Sequence, residues 1–217
     1  LLQVIQEAPS SYEPYYTVGL VYEEQGDVER AAGFYTLAGL LNPGDAALWV
    51  KLADWAEDAA AAAEGVAAGR KKRQEAVFCL GKAISAALKH GDGEEDSLDA
   101  EGLFWRRARL MTVDGSGEGR AAVMSFQRLV RRRLDDIGLL RRIAKFAINQ
   151  GAAAAGADLL ERAITGELKR GNPETVKWDV VNMVLELLSI GEPEYERIHN
   201  LVRLAAVQMI GPELVLG

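Results

Sequence analysis

The sequence predicts an all-α fold, a superhelix of stacked helix–turn–helix repeats, and three observations carry that reading. Pro9 and Pro43 stand 34 residues apart, and at the same offset Tyr15 matches Trp49, Val18 matches Leu52 and Gly19 matches Ala53. Self-similarity at a fixed period of this size marks a repeat architecture. Within each period the apolar and small residues recur at i, i+3, i+4 and i+7, one face of a helix. The apolar share, 49% of 217 residues, is enough to fill the continuous core that such stacking buries.

Residues 1–11 read as the end of a repeat whose first helix lies upstream, with Pro9 closing it. Repeat 1 spans 12–45: Tyr15, Val18, Gly19 and Tyr22 share one helix face, and Ala31, Tyr35 and Ala38 share the next. Gly26-Asp27 forms the turn, Asp27 caps the second helix, and Pro43 forces the exit. Repeat 2 spans 46–90, with Trp49, Leu52, Ala53 and Ala56, then Ala76, Leu80 and Ala83. Between its helices lies an insertion, 58–74, about eleven residues beyond the usual unit. It reads as a surface insertion in which the first helix runs on until Gly65 and Gly69 break it.

Repeat 3 spans 98–134, with Phe104, Arg107, Ala108 and Met111, the turn DGSGEG, then Ala122, Phe126 and Leu129. Repeat 4 spans 136–170, with Leu140, Ile143, Ala144 and Ala147, a turn at Gly151, then Gly156, Leu160 and Ala163. A degenerate fifth pair, 173–210, keeps helical periodicity and has lost the signature, giving roughly ten or eleven helices in all.

Composition removes several function classes. One cysteine and two histidines exclude a disulfide scaffold and a histidine-rich metal site. No run of about 18 apolar residues is present to span a membrane, and the start, Leu1-Leu2-Gln3-Val4-Ile5, has neither Met nor a signal-peptide layout. The net charge is −7, placed as −9 over residues 1–69, +6 over 70–148 and −4 over 149–217. An acidic–basic–acidic chain argues against bulk nucleic-acid binding and leaves a local basic patch.

No catalytic, cofactor or metal constellation emerges. Ser10, Ser11 and Ser97 stand at helix starts as caps, and Cys79 sits beside Leu80 as a small buried hydrophobe. His90 falls in a glycine-rich acidic loop and His199 mid-helix. The run VDGSGEGR lacks the Gly-Lys-Ser/Thr ending of a phosphate loop. Glu23-Glu24 and Glu94-Glu95-Asp96 lack the ligand spacing of a calcium loop. Arg70-Lys71-Lys72-Arg73 reads as the start of an exposed helix, with a nuclear localisation signal as the other reading. Arg128 and Arg131–Arg133 end a helix, where cations complement the dipole, with contact to phosphates or an acidic partner as the other reading; no interleaved aromatics accompany them for base stacking.

The order aromatic, apolar, small, aromatic, then small, aromatic, small, closed by proline, resembles the tetratricopeptide repeat (TPR). That resemblance implies that the first helix of each unit lines a concave, ligand-facing surface. The residues so placed are Glu13, Tyr16, Leu20, Glu23 and Glu24; Val50, Asp54, Glu57 and Asp58; Arg109, Thr112 and Val113; and Arg141, Lys145 and Asn149. Such a groove would run from acidic to basic and orient a bound segment by charge. Tyr16 and Leu20 stand where cochaperones of this superfamily place a Lys/Asn carboxylate clamp, so that clamp is absent.

A narrower resemblance rests on Tyr22-Glu23-Glu24, on Asn42-Pro43 followed by Asp45 and Leu48-Trp49, on AVFCLGKAI, on FWRRARL and on AAVMSFQRLV. These stretches look like the TPR subunit of transcription factor IIIC. The resemblance implies a nuclear, non-catalytic scaffold without cofactors, whose partners are other factor IIIC subunits and TFIIIB components of the RNA polymerase III machinery. The alternatives are an accessory array of a larger enzyme, of glycosyltransferase type, and a generic TPR adaptor.

Overall fold

The computed structural model describes residues 9–90, 99–113 and 117–170, and among these every regular element is an α-helix. The chain divides into two compact units between Ser116 and Gly117, within the turn expected for repeat 3. The degenerate fifth pair, 173–210, and most of residues 1–11 lie outside the described residues, as do Ser97 and His199.

The first unit holds α1 (Glu13–Glu24), α2 (Val28–Leu41), α3 (Ala46–Ala62), α4 (Val66–His90) and α5 (Ala100–Thr112). Each helix packs on the next in the chain from α1 to α5. The signature positions form the core: Val18, Ala31, Tyr35, Ala38, Trp49, Leu52, Ala53, Ala56, Ala76, Leu80, Ala83, Phe104, Ala108 and Met111 are all buried. Gly19 shows why a small residue is needed: a Cβ there would stand 2.6 Å from the Tyr35 ring. The α1–α2 hairpin closes only because that Cβ is absent.

Local chemistry starts and stops these helices as expected in most places. Asp27 and Asp45 accept hydrogen bonds from the amides of Arg30 (3.1 Å) and Leu48 (2.9 Å), each satisfying an orphan donor of the first turn. Gly26 takes the positive φ of the α1–α2 turn. The expected serine cap on α1 is not made: Tyr12 occupies the cap position, and the Ser11 hydroxyl donates instead to the Glu13 carboxylate. Pro14 in the first turn, where no amide partner is lost, supports that start.

The insertion at 58–74 is not a loop. It is absorbed into longer helices, α3 running to Ala62 and α4 reaching back to Val66, for 17 and 25 residues. Gly65, at φ 114°, makes the reversal that a side chain would resist. Gly69 does not break α4. It is buried where α4 crosses the end of α3, and a Cβ would meet the Ala60 carbonyl oxygen at 3.3 Å. Arg70–Arg73 accordingly lie in the first turns of α4, with Arg70 and Lys71 exposed.

The second unit holds α6 (Gly119–Ser125), α7 (Gln127–Arg132), α8 (Ile137–Asn149) and α9 (Ala153–Arg170). The expected single second helix of repeat 3 is interrupted at Phe126, whose amide bonds to the Val123 carbonyl at 3.1 Å and tightens one turn. Phe126 itself stays buried beside Ala122 and Leu129. Asp136 caps α8 through the Leu139 amide at 2.9 Å. Leu139, Leu140, Ile143, Ala144 and Ala147 then meet Leu160, Ala163 and Ile164 of α9 in an aliphatic core. Arg131 and Arg132 occupy the last turn of α7, as expected.

Candidate functional site: the first-helix faces

In the first unit the expected ligand-facing residues lie on α1, α3 and α5, and charge joins these three helices. The Glu23 carboxylate of α1 accepts the Tyr35 hydroxyl at 2.6 Å and both its oxygens stand 2.6 Å from Lys51 Nζ of α3. The Lys51 ammonium also lies over the Tyr35 ring at 5.0 Å and the Trp55 ring at 5.2 Å. Tyr16 packs on Tyr35 with ring centroids 5.2 Å apart. The hydrogen bonds from Lys51 and Tyr35 hold the Glu23 carboxyl below its usual range, while burial, then Glu23, pushes the Tyr35 hydroxyl up.

One repeat farther the pattern recurs. Arg106 of α5 reaches Glu57 of α3 through Nε at 2.6 Å and Asp54 through Nη2 at 2.5 Å, and Arg109 Nη2 stands 4.0 Å from Glu57. Glu57 lies 34 residues after Glu23, while Lys51 and Arg106 each lie two residues after the aromatic of their repeat, Trp49 and Phe104. A carboxylate of one first helix therefore meets a cation of the next, twice in succession. Lys51, Arg106 and Trp55 were not among the residues expected at this face. The signal was present in the repeat phase, which a search for groove residues on single helices does not read.

The expected residues thus separate into two sets. Glu23, Asp54 and Glu57 are engaged in cross-helix ion pairs, and Tyr16 and Val50 are half-buried. Glu13, Leu20, Glu24, Asp58, Arg109 and Val113 are exposed. The Thr112 hydroxyl is turned inward, donating to the Ala108 and Arg109 carbonyls at 3.1 Å. In the second unit Arg141 is half-buried on α8, and Lys145 and Asn149 are exposed. The acidic character expected for the first unit is therefore partly cancelled within the unit itself.

Among the described residues no cluster of three His, Cys, Asp or Glu side chains is placed to hold a metal ion, and no helix is long and apolar enough to cross a membrane. Cys79 is buried, and burial, then Glu75, pushes its thiol up to about 11, so it stays protonated and unreactive at neutral pH.

The chain is 34% identical over 206 residues to General transcription factor 3C polypeptide 3 of Homo sapiens, a match covering 93% of this chain and 20% of that protein. That match runs along nearly the whole chain, and the described helix pairs of repeats 1 to 4 bury most of the signature positions, Tyr35, Trp49, Ala83, Phe104 and Leu160 among them. This is a tetratricopeptide-repeat protein. The TPR chain spans about a fifth of the length of that human relative. No family model matches it. It is also similar to the crystal structure of YrrB, a TPR protein with an unusual peptide-binding site, at 18% identity and a TM-score of 0.35 over 92% of this chain and 96% of that one. That likeness is too loose to bear on the architecture or ligands of this chain.

Proposed function

We propose that this TPR array is a non-catalytic protein-binding scaffold, part of a nuclear subunit of transcription factor IIIC type that assembles the RNA polymerase III initiation machinery. One observation carries the reading: 34% identity to General transcription factor 3C polypeptide 3 sustained over 206 residues, 93% of the chain. Generic TPR conservation would preserve only the small and aromatic packing positions. The partners are sister subunits and TFIIIB components. They engage the first-helix faces through exposed side chains, Glu13, Glu24 and Asp58 in the first unit and Lys145 and Asn149 in the second.

Glu23, Asp54 and Glu57 play a different part in this reading. They hold the first helices in register, so that the exposed groups sit on a rigid support. The test is affinity purification of the tagged full-length protein from nuclei. Recovery of other factor IIIC subunits is expected, and recovery of none overturns the assignment. Within such a preparation, Glu24→Lys with Asp58→Lys lowers partner retention at low salt while leaving the melting temperature unchanged; undiminished retention removes the first-helix face of the first unit from the interface.

A further inference from the structure

The lengthened repeat 2 builds a second concave surface, which shares Trp55 with the first-helix face and otherwise uses other side chains. A groove of about 800 Å³ opens along α3, with α2 and α4 as its walls. Its lining runs from Val28 to Thr36 on α2 and from Lys71 to Cys79 on α4, an advance of eight residues along each wall. At 1.5 Å per residue this is about 12 Å, two helical turns. The floor is apolar, formed by Leu52, Trp55, Ala56 and Ala59. Two large apolar side chains stand at the lips and still meet water, Val28 at 45% and Phe78 at 50% exposure.

The groove is not a by-product of the repeat. In the second unit the corresponding depression among α6, α7, α8 and α9 measures about 210 Å³. There the signature alignment places Asp158 where Phe78 stands and Arg162 where Lys82 stands. The α4 wall of the larger groove is supplied in part by Lys71, Lys72 and Gln74, residues of the insertion.

The lips are charged with opposite sign. Lys71 lines the α4 wall beside Arg70, both are exposed, and among the described residues neither carries an ion pair; Lys72 is taken by Glu75 at 2.8 Å. Glu29 lines the α2 wall, exposed. We infer that the groove takes an amphipathic helix of a protein partner. Its apolar side chains at i, i+4 and i+7 enter the two-turn trough, and carboxylates along one edge face Arg70 and Lys71. The charge asymmetry fixes which edge of the helix faces α4. The inference is independent of the first-helix face and of the factor IIIC assignment.

The test uses the full 217-residue chain and two fluorescent 16-residue helical peptides, each with Leu at i, i+4 and i+7. One carries Glu and the other Lys at the positions that face α4. Anisotropy titration should show the Glu peptide binding at least about tenfold more tightly at low salt, with the difference shrinking as salt screens it. The double variant Arg70→Glu with Lys71→Glu should reverse the preference, and Val28→Glu should weaken both peptides by about tenfold. All three residues are exposed, so melting temperature checks that the variants fold, and the charge variant alone suffices if Val28→Glu does not. Equal binding of the two peptides overturns the inference. So does an unchanged preference in the charge variant, or an equal loss on Glu24→Lys with Asp58→Lys.

Discussion

The two units solve the same packing problem with different chemistry. In the first, aromatic rings and alternating charges link successive helices: Tyr35 between Tyr16 and Trp55, Lys51 over both Tyr35 and Trp55, Arg106 across Asp54 and Glu57. In the second, α8 and α9 meet through Leu139, Leu140, Ile143, Leu160 and Ile164, all at or near zero exposure. An aliphatic core yields stability in proportion to area and tolerates modest repacking. A rung of paired charges adds little net stability, since partly exposed ion pairs contribute about 0–1 kcal/mol, but it penalises the wrong register. The rungs of the first unit thus fix the register of its first helices, and in the second unit the contact of α8 with α9 is centred on aliphatic side chains.

The largest expected effect comes from cutting the aliphatic core. Leu160→Ala removes a fully buried side chain and should cost about 2–5 kcal/mol, read as faster amide hydrogen exchange across α8 and α9. A cost below 1 kcal/mol would mean that this core is not the support described. Next is the tightest contact of the first unit. Gly19→Val forces a Cβ into the Tyr35 ring, and since Tyr35 is fully buried and its hydroxyl is bound to Glu23, the ring has little room to yield. The expected destabilisation is about 1–3 kcal/mol, seen by chemical denaturation. The capping aspartates should not distinguish the units. Asp45→Ala and Asp136→Ala each lose one first-turn hydrogen bond and should each cost about 1 kcal/mol.

These effects also mark how far the sequence could be read. Residues such as Trp49, Leu80, Phe104 and Leu160 were legible because a signature position is a packing position, and burial follows from periodicity alone. The lengths of α3 and α4 were less legible. Alanine favours helix but gives no stop signal, so the boundary depends on Gly65, while Gly69 looks identical in sequence and serves instead as a close-packing residue. The groove along α3 was hidden for the same reason, since part of its α4 wall belongs to a segment read as a surface insertion. At the first-helix face the positions of Glu23, Asp54 and Glu57 were read, but not their partners. A cation on the next repeat is invisible to reasoning that stays on one helix.

The smallest effect sharpens the comparison most selectively. The folded-state pKa of Glu23 lies below its unfolded value, so its pairing contributes stability above the ordinary carboxylate range, lost as pH falls through the lowered value. Glu23→Gln should therefore change stability by less than about 1 kcal/mol at neutral pH, after allowance for its one-third exposure. It should also reduce the loss of α1–α2 stability as pH falls below the ordinary carboxylate range, and in high salt. Denaturation at matched pH and salt checks this, and an unchanged acid response would show that the Glu23 pair is not coupled to folding.

In the function proposed above, this array works by protein contact within a factor IIIC-type assembly. Chemical cross-linking with mass spectrometry on the tagged full-length protein purified from nuclei tests it most directly. Cross-links are expected from lysines of this segment, among them Lys71 on the α3 groove or Lys145 on α8, to other subunits of that assembly. A preparation in which those subunits are present and cross-linked to one another, yet no link reaches residues 1–217, would contradict it.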